Sequence, residues 1–306
     1  MGALLLGGGR ALGAQTPVDF QVPAHACDCH THVFPDPSRF PFWAGRGYTP
    51  QPASPAQMAA LHRALHIERV VIVTPSVYGA DNSATLFGMR ARGGAARGVA
   101  VIDGKTPERD LDAMHRAGVR GIRLNLTNSA PAAQTVAASS ALIRQAIQRV
   151  RPRNWHVQIN TTLKVIAGIK GMVLDSPVPV VFDHFGGARA ALGAGQPGFA
   201  ELAELVHSGR AYVKISGAYR ISQRPGYTDV TPLAQALIAA NGERVVWGTD
   251  WPHPDSAMAQ GKEALRPRPP LPVDDGLVFN LLPVWAPDAA VRKKILVDNP
   301  ARLYGF

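Results

Sequence analysis

Eight short runs of β-branched and apolar residues alternate with helix-patterned segments along the chain, and this alternation narrows the fold more than any other feature. The runs are Cys27–Phe34, Val70–Ser76, Gly98–Asp103, Val119–Leu126, Trp155–Asn160, Val178–Phe185, Ala211–Gly217 and Val245–Trp251. Helix starts are marked by Ser54-Pro55 and Thr106-Pro107, an N-cap residue followed by a proline that tolerates the first helical turn. Strand-helix alternation implies a parallel sheet with helical crossovers. Eight units over about 280 residues suit an α/β (β/α)8 TIM barrel better than an open sheet. No Gly-x-Gly-x-x-Gly follows the first run, which removes the main dinucleotide-binding reading. Two stretches are too long for simple connections, Pro35–Ser54 after the first strand and Pro252–Pro287 after the eighth. Loops of this length usually cover a functional site. The expectation is one domain over 21–306 with long loops after strands 1 and 8.

Residues 1–20 are read as a leader. The run Met1–Gln15 has a short apolar core and a small-residue end but no basic start, so it is either a disordered leader or the remnant of an export signal. The expected location is therefore cytoplasmic, or periplasmic if the N-terminus is a truncated signal. No apolar run approaches the roughly 20 residues that span a bilayer. The formal charge of +10 is spread without a polybasic run, which argues against nucleic acid and for small anionic partners. The two cysteines, Cys27 and Cys29, cannot bridge each other at i and i+2 of a strand.

The first strand carries the chemistry. Alternation along Cys27–Phe34 places Asp28, His30 and His32 on one face and the cysteines on the other, behind the site. Two imidazoles converging from one strand form either a catalytic or metal-ligating pair or a pair of hydrogen-bonded core histidines. In a TIM barrel the active site forms at the C-terminal strand ends. There the sequence collects His30 and His32 on strand one, Arg123 on strand four and Asp183-His184 on strand six. Ser216 and Arg220 follow on strand seven, and Asp250 and His253 on strand eight. His156 falls at the opposite strand end and is read as structural.

Four motifs carry a resemblance over the whole chain after the leader: His30-Thr-His32, the His184 strand end, Gly248-Thr-Asp-Trp-Pro252 and Asn299-Pro-Ala-Arg-Leu-Tyr-Gly305. Together they resemble the amidohydrolase superfamily. The opening Cys27-Asp-Cys-His-Thr-His-Val-Phe34 is similar to its branch of 2-pyrone-4,6-dicarboxylate lactonases and sugar-lactone hydrolases. The resemblance implies the barrel and a hydrolase that opens a carboxylate-bearing lactone. Members with a binuclear metal centre carry a bridging lysine or glutamate on strand four and a histidine ending strand five. Here those places hold Arg123 and Asn125, and Gln158 and Asn160, so no binuclear centre is expected. The reading favoured is metal-free; a single Zn²⁺, if present, would sit on His30, His32, His184 and Asp250. After strand four, Leu126-Thr-Asn128 lacks a basic residue that the lactonase supplies, and Asn160 stands in place of an aromatic hydroxyl.

The expected mechanism makes Asp250 the general base toward water, with His30, His32 and His184 polarising the lactone carbonyl. Arg123 and Arg220 are expected to clamp substrate carboxylates, with Tyr48 and His253 as further contacts. Two alternatives stand beside it. One is a metal-dependent decarboxylase of the same superfamily, and the other is a non-catalytic barrel that binds small anions.

Overall fold

Every expected run forms a strand in the computed structural model, which describes residues 16–127 and 135–306. The strands are Cys27–Thr31 (β1), Arg69–Val73 (β2), Ala96–Ala100 (β3) and Val119–Asn125 (β4). They continue with His156–Asn160 (β5), Val180–Phe182 (β6), Ala211–Ser216 (β7) and Val245–Gly248 (β8). All pair in parallel and in chain order. Two bonds close the ring between its ends: Asp250 N–H donates to the His30 carbonyl and His32 N–H to the Trp251 carbonyl, each at 2.8 Å. The seam of the barrel thus binds the first-strand histidines to Asp250 through the backbone. Gly248 makes this possible, because a Cβ there would stand 2.7 Å from the His30 nitrogen.

The helices Pro55–Ala64 (α1), Ser83–Arg92 (α2), Glu108–Arg116 (α3), Val136–Val150 (α4), Leu163–Leu174 (α5), Phe199–His207 (α6) and Thr231–Asn241 (α7) fill the crossovers. The Ser54 cap of α1 is a full capping box: its hydroxyl accepts from Gln57 N–H, and Gln57 accepts from Ser54 N–H. Among the described residues no helix is long and apolar enough to cross a membrane.

One register expectation is overturned. Between Asp28 and Thr31 the pairing with β2 slips by one residue, a β-bulge. Asp28 therefore turns toward α1 and strand eight, accepting from Thr249 N–H at 3.0 Å and lying 3.2 Å from His62 Nε2. Cys27 and Cys29 instead pack with Val71, Val99, Val181, Val246 and Tyr304, the apolar plug inside the barrel. The extra residue lets His30 follow Cys29 into the same interior. Strict alternation would have sent one of them outward.

Strand six ends earlier than its sequence suggested, at Phe182, because His184 and Phe185 adopt φ of 48° and 55°. Asp250 and His253 also take positive φ, at 64° and 60°. Left-handed backbone at non-glycine residues is costly and gathers at functional sites. The two long loops are joined into one rim: Thr49–Pro50 pairs with Pro267–Arg268, and Ala259 N–H donates to the Gly47 carbonyl at 2.8 Å. Residues 16–20, assigned above to the leader, pack on the barrel. Thr16 Oγ1 donates to Asp274 at 2.7 Å, and the Phe20 ring meets Phe279 edge-on at 4.8 Å.

Candidate active site

At the C-terminal mouth of the barrel lies a cavity of about 290 Å³. His32 and His184, Tyr48, and the three arginines Arg123, Arg189 and Arg220 line it. Beneath this lining Asp250 is wholly buried, and its Oδ1 has no hydrogen-bond partner among the described residues. Three imidazole nitrogens surround that carboxylate: His32 Nε2 at 3.4 Å and His30 Nε2 at 3.7 Å from Oδ1, and His184 Nε2 at 3.9 Å from Oδ2. Strands one, six and eight thus deliver His30, His32, His184 and Asp250 to one point.

Each imidazole is oriented by its other nitrogen. His32 Nδ1 donates to the Val73 carbonyl at 2.8 Å, which leaves its Nε2 as an acceptor. His184 Nδ1 lies 3.0 Å from the Ser216 hydroxyl. Burial holds the His30 pKa well below the ordinary imidazole value, with the nearby Lys214 ammonium adding to the effect. Burial also takes His184 down to about 4. Asp250 goes the other way. Burial alone would raise its pKa, but Arg220, His184, His32 and His30 outweigh that and hold it well below the usual carboxylate range.

The arginines expected as clamps have a second duty. Arg123 Nε donates to Asp183 Oδ2 at 2.9 Å, and Arg220 Nε donates to Asp250 Oδ2, which also accepts from Tyr219 at 2.6 Å. Both guanidinium groups nonetheless line the cavity, and Arg220 reaches Ser256 Oγ at 3.1 Å. Lining the cavity and forming an internal ion pair are therefore not exclusive. Buried charge requires a partner, and each arginine has one.

His253 does not reach the cavity lining: it is buried, with Nε2 3.0 Å from Asp275. Its left-handed backbone turns the ring toward the helix Asp275–Phe279. Tyr48 does line the cavity, and burial raises its pKa, so the phenol stays protonated. Asn128 lies outside the described residues. Sequence reasoning placed Asp183 and Gln158 at strand ends without seeing that they pair with Arg123 and Lys214, and it missed Arg189, Tyr219 and Lys214 as neighbours of the site. For Lys214 a signal existed, because an ammonium midway along an apolar barrel strand must find buried acceptors.

His156 lies at the far strand end, buried and edge-on to Tyr304. Burial pulls its pKa down to about 3. His156 and His184 therefore bind fewer protons folded than unfolded, where imidazole titrates near about 6.5. Their stabilising contribution is full above that value and is lost as the pH falls through about 4 and then about 3. His156→Leu should flatten this acid limb, so its Tm should fall less between neutral pH and the onset of acid unfolding. Parallel Tm curves for variant and wild type would contradict the assignment.

His30, His184 and Asp250 offer ligand atoms within 4.8 Å of one another, a group that could hold a single metal ion. For bonds of 2.0–2.1 Å, a tetrahedral ion needs donors about 3.3 Å apart, close to the spacings around Asp250. The orphaned His30 Nε2 and Asp250 Oδ1 fit such a role.

Residues 27–306 match the amidohydrolase family. The 4-sulfomuconolactone hydrolase of Hydrogenophaga intermedia is 33% identical over 97% of this chain and 95% of its own length. The 2-pyrone-4,6-dicarboxylate hydrolase of Comamonas testosteroni is 34% identical over 93% of this chain and 92% of its own. A crystal structure from Agrobacterium tumefaciens superposes with a TM-score of 0.77 at 27% identity, covering 93% of this chain and 97% of that one. A barrel whose seam joins two first-strand histidines to a strand-eight aspartate, together with these matches over nearly the full length, makes this chain a member of the amidohydrolase family.

Proposed function

We propose that the protein hydrolyses a small lactone carrying two anionic groups. The observation that carries this reading is the buried, unpartnered Asp250 Oδ1, ringed by three imidazoles under an arginine-lined cavity. Relatives that act on a dicarboxylate lactone and a sulfonated lactone support the substrate class.

The lactone's anionic groups meet Arg123, Arg189 and Arg220, whose planar donors suit carboxylate and sulfonate. Its carbonyl then lies over the imidazoles. Water adds to the carbonyl carbon, and its proton passes to Asp250. Asp250 has no exposed surface, so His32, which lines the cavity, provides the path: its Nε2 accepts the proton 3.4 Å from Oδ1. Donors around the carbonyl stabilise the oxyanion. The ring carbon–oxygen bond breaks, the leaving oxygen takes a proton back, and a hydroxy acid is released.

A metal ion on His30, His32, His184 and Asp250 would polarise the carbonyl and acidify a bound water. The protein residues present favour the route without it. Asp250 already balances the Arg220 cation, and β4 and β5 hold Arg123 and Gln158 where a second ion would need ligands. Turnover of carboxylated lactones, followed with a pH indicator, should survive prolonged chelation. Loss of turnover that Zn²⁺ or Mn²⁺ restores would overturn this and favour a metal-dependent decarboxylase.

Arg189 is a third guanidinium that the sequence did not disclose. Its main chain is pinned on both sides by Gln196, through bonds of 2.9 and 3.0 Å, while its side chain is exposed at the cavity. Arg189→Met should raise KM for a dianionic lactone about tenfold, the worth of one charge-assisted bond, and leave Tm unchanged. An unchanged KM would remove Arg189 from the site.

A further inference from the structure

Lys214, the most deeply buried cation of the barrel, is unused by the reaction just described. It is 0% exposed, and its ammonium faces three acceptors: the Cys29 carbonyl at 2.8 Å, Gln158 Oε1 at 2.7 Å and His30 Nδ1 at 3.4 Å. An ammonium has three N–H groups and no lone pair, so it can only donate to His30. Asp183 is the rival for the same ring nitrogen, with Oδ1 3.2 Å away. That oxygen nonetheless makes no well-formed hydrogen bond among the described residues, and Asp183 acts on the ring first as a nearby negative charge. Asp183 is instead occupied through Oδ2, which accepts from Arg123 at 2.9 Å and Gln158 at 3.1 Å.

We infer that Lys214 is a positioning residue that fixes His30 in the tautomer with its proton on Nε2, so that His30 presents an N–H toward the Asp250 carboxylate and not a lone pair to a metal. A neutral imidazole has one proton, and a donor at Nδ1 places it on Nε2. Nε2 is buried without a partner and lies 3.7 Å from Asp250 Oδ1. An N–H there faces Asp250 Oδ1, which is likewise buried without a hydrogen-bond partner among the described residues, and so orients the carboxylate that takes up the proton. If the proton moved to Nδ1 and bonded Asp183, Nε2 would carry a lone pair, the arrangement usual in metal-ligating histidines whose other nitrogen donates to a carboxylate. Lys214 thus selects between two chemistries that the same four residues could support. The inference rests on the lactone reading for the role of the proton, though not for its location.

The test combines two measurements. Nitrogen-15 histidine spectra of the wild-type protein, with the His30 signal assigned by its loss in His30→Gln, should show Nε2 protonated and Nδ1 as acceptor. A proton on Nδ1 would overturn the inference whatever happens to any variant. Lys214→Met should then move the proton to Nδ1 and raise Zn²⁺ retained per chain after dialysis by about 10–100-fold, the usual weight of the group behind a metal ligand. It should also lower kcat for lactone opening with KM little changed. Unaltered zinc retention and tautomer in a folded Lys214→Met protein would assign Lys214 to packing alone. Absence of lactone turnover in the wild type would sink the functional reading while leaving the tautomer and zinc results to decide on Lys214.

Discussion

Asp250→Asn should lower kcat about 10²–10⁴-fold, the usual contribution of a positioned general base, while the barrel remains folded. Asparagine keeps the shape that fills the space between the three imidazoles, and the backbone bond from residue 250 to the His30 carbonyl does not involve the side chain. The amide still accepts from Tyr219 and Arg220 through its oxygen, so the anchoring survives in part. What is lost is the negative charge that receives the proton through His32. KM should move far less, because Asp250 has no exposed surface and lies behind the lining side chains His32 and Arg220. Kinetics on a carboxylated lactone, with Tm recorded in parallel, separate the outcomes. Near wild-type kcat would mean that Asp250 only caps the strand-eight loop.

The second large effect is expected at the two paired arginines. Arg123→Met and Arg220→Met should each weaken binding of a carboxylated lactone about ten- to a hundred-fold, given roughly 1.5–3 kcal/mol for a charge-assisted bond. Both should also lower Tm, since each change removes the partner of a buried carboxylate, Asp183 or Asp250. The loss at Arg123 is cushioned, because Asp183 keeps the Gln158 bond and the Lys214 charge 3.7 Å away. The Arg220 pair is only partly enclosed, so solvent screening reduces its stabilising effect. A fall in Tm therefore does not tell clamp from scaffold at these positions. The ratio of KM for charged and neutral lactones of one ring, measured well below both Tm values, does. Equal losses on the two substrates would make the arginines structural only.

The barrel was legible because its determinants are local. Continuous β-branched runs, capped helices and the absence of a phosphate-binding glycine turn are each carried by a few adjacent residues. His30, His32, His184 and Asp250 were legible for a related reason: once the fold is a barrel, polar strand ends converge at one mouth. Arg189 was hidden because it lies beyond a strand end, in a loop whose path depends on the Gln196 bonds. His253 looked like a member of the site by its distance from Asp250 in sequence, and only its left-handed backbone turned it toward Asp275.

Residue type and spacing by themselves determined the number of strands, the end of the barrel where the polar strand ends gather, and the aspartate and histidines that meet there. Only the tertiary structure decided which groups hold one another. A one-residue bulge moved Asp28 out of the site and brought Cys29 and His30 into one interior. The tertiary structure also pairs both arginines expected as clamps with aspartates, and brings a lysine from two strands away around the ring to His30. The reason is physical. Secondary structure follows short-range periodicity, whereas the pairing of buried charges depends on distances between strands far apart in the chain, 184 residues in the case of His30 and Lys214.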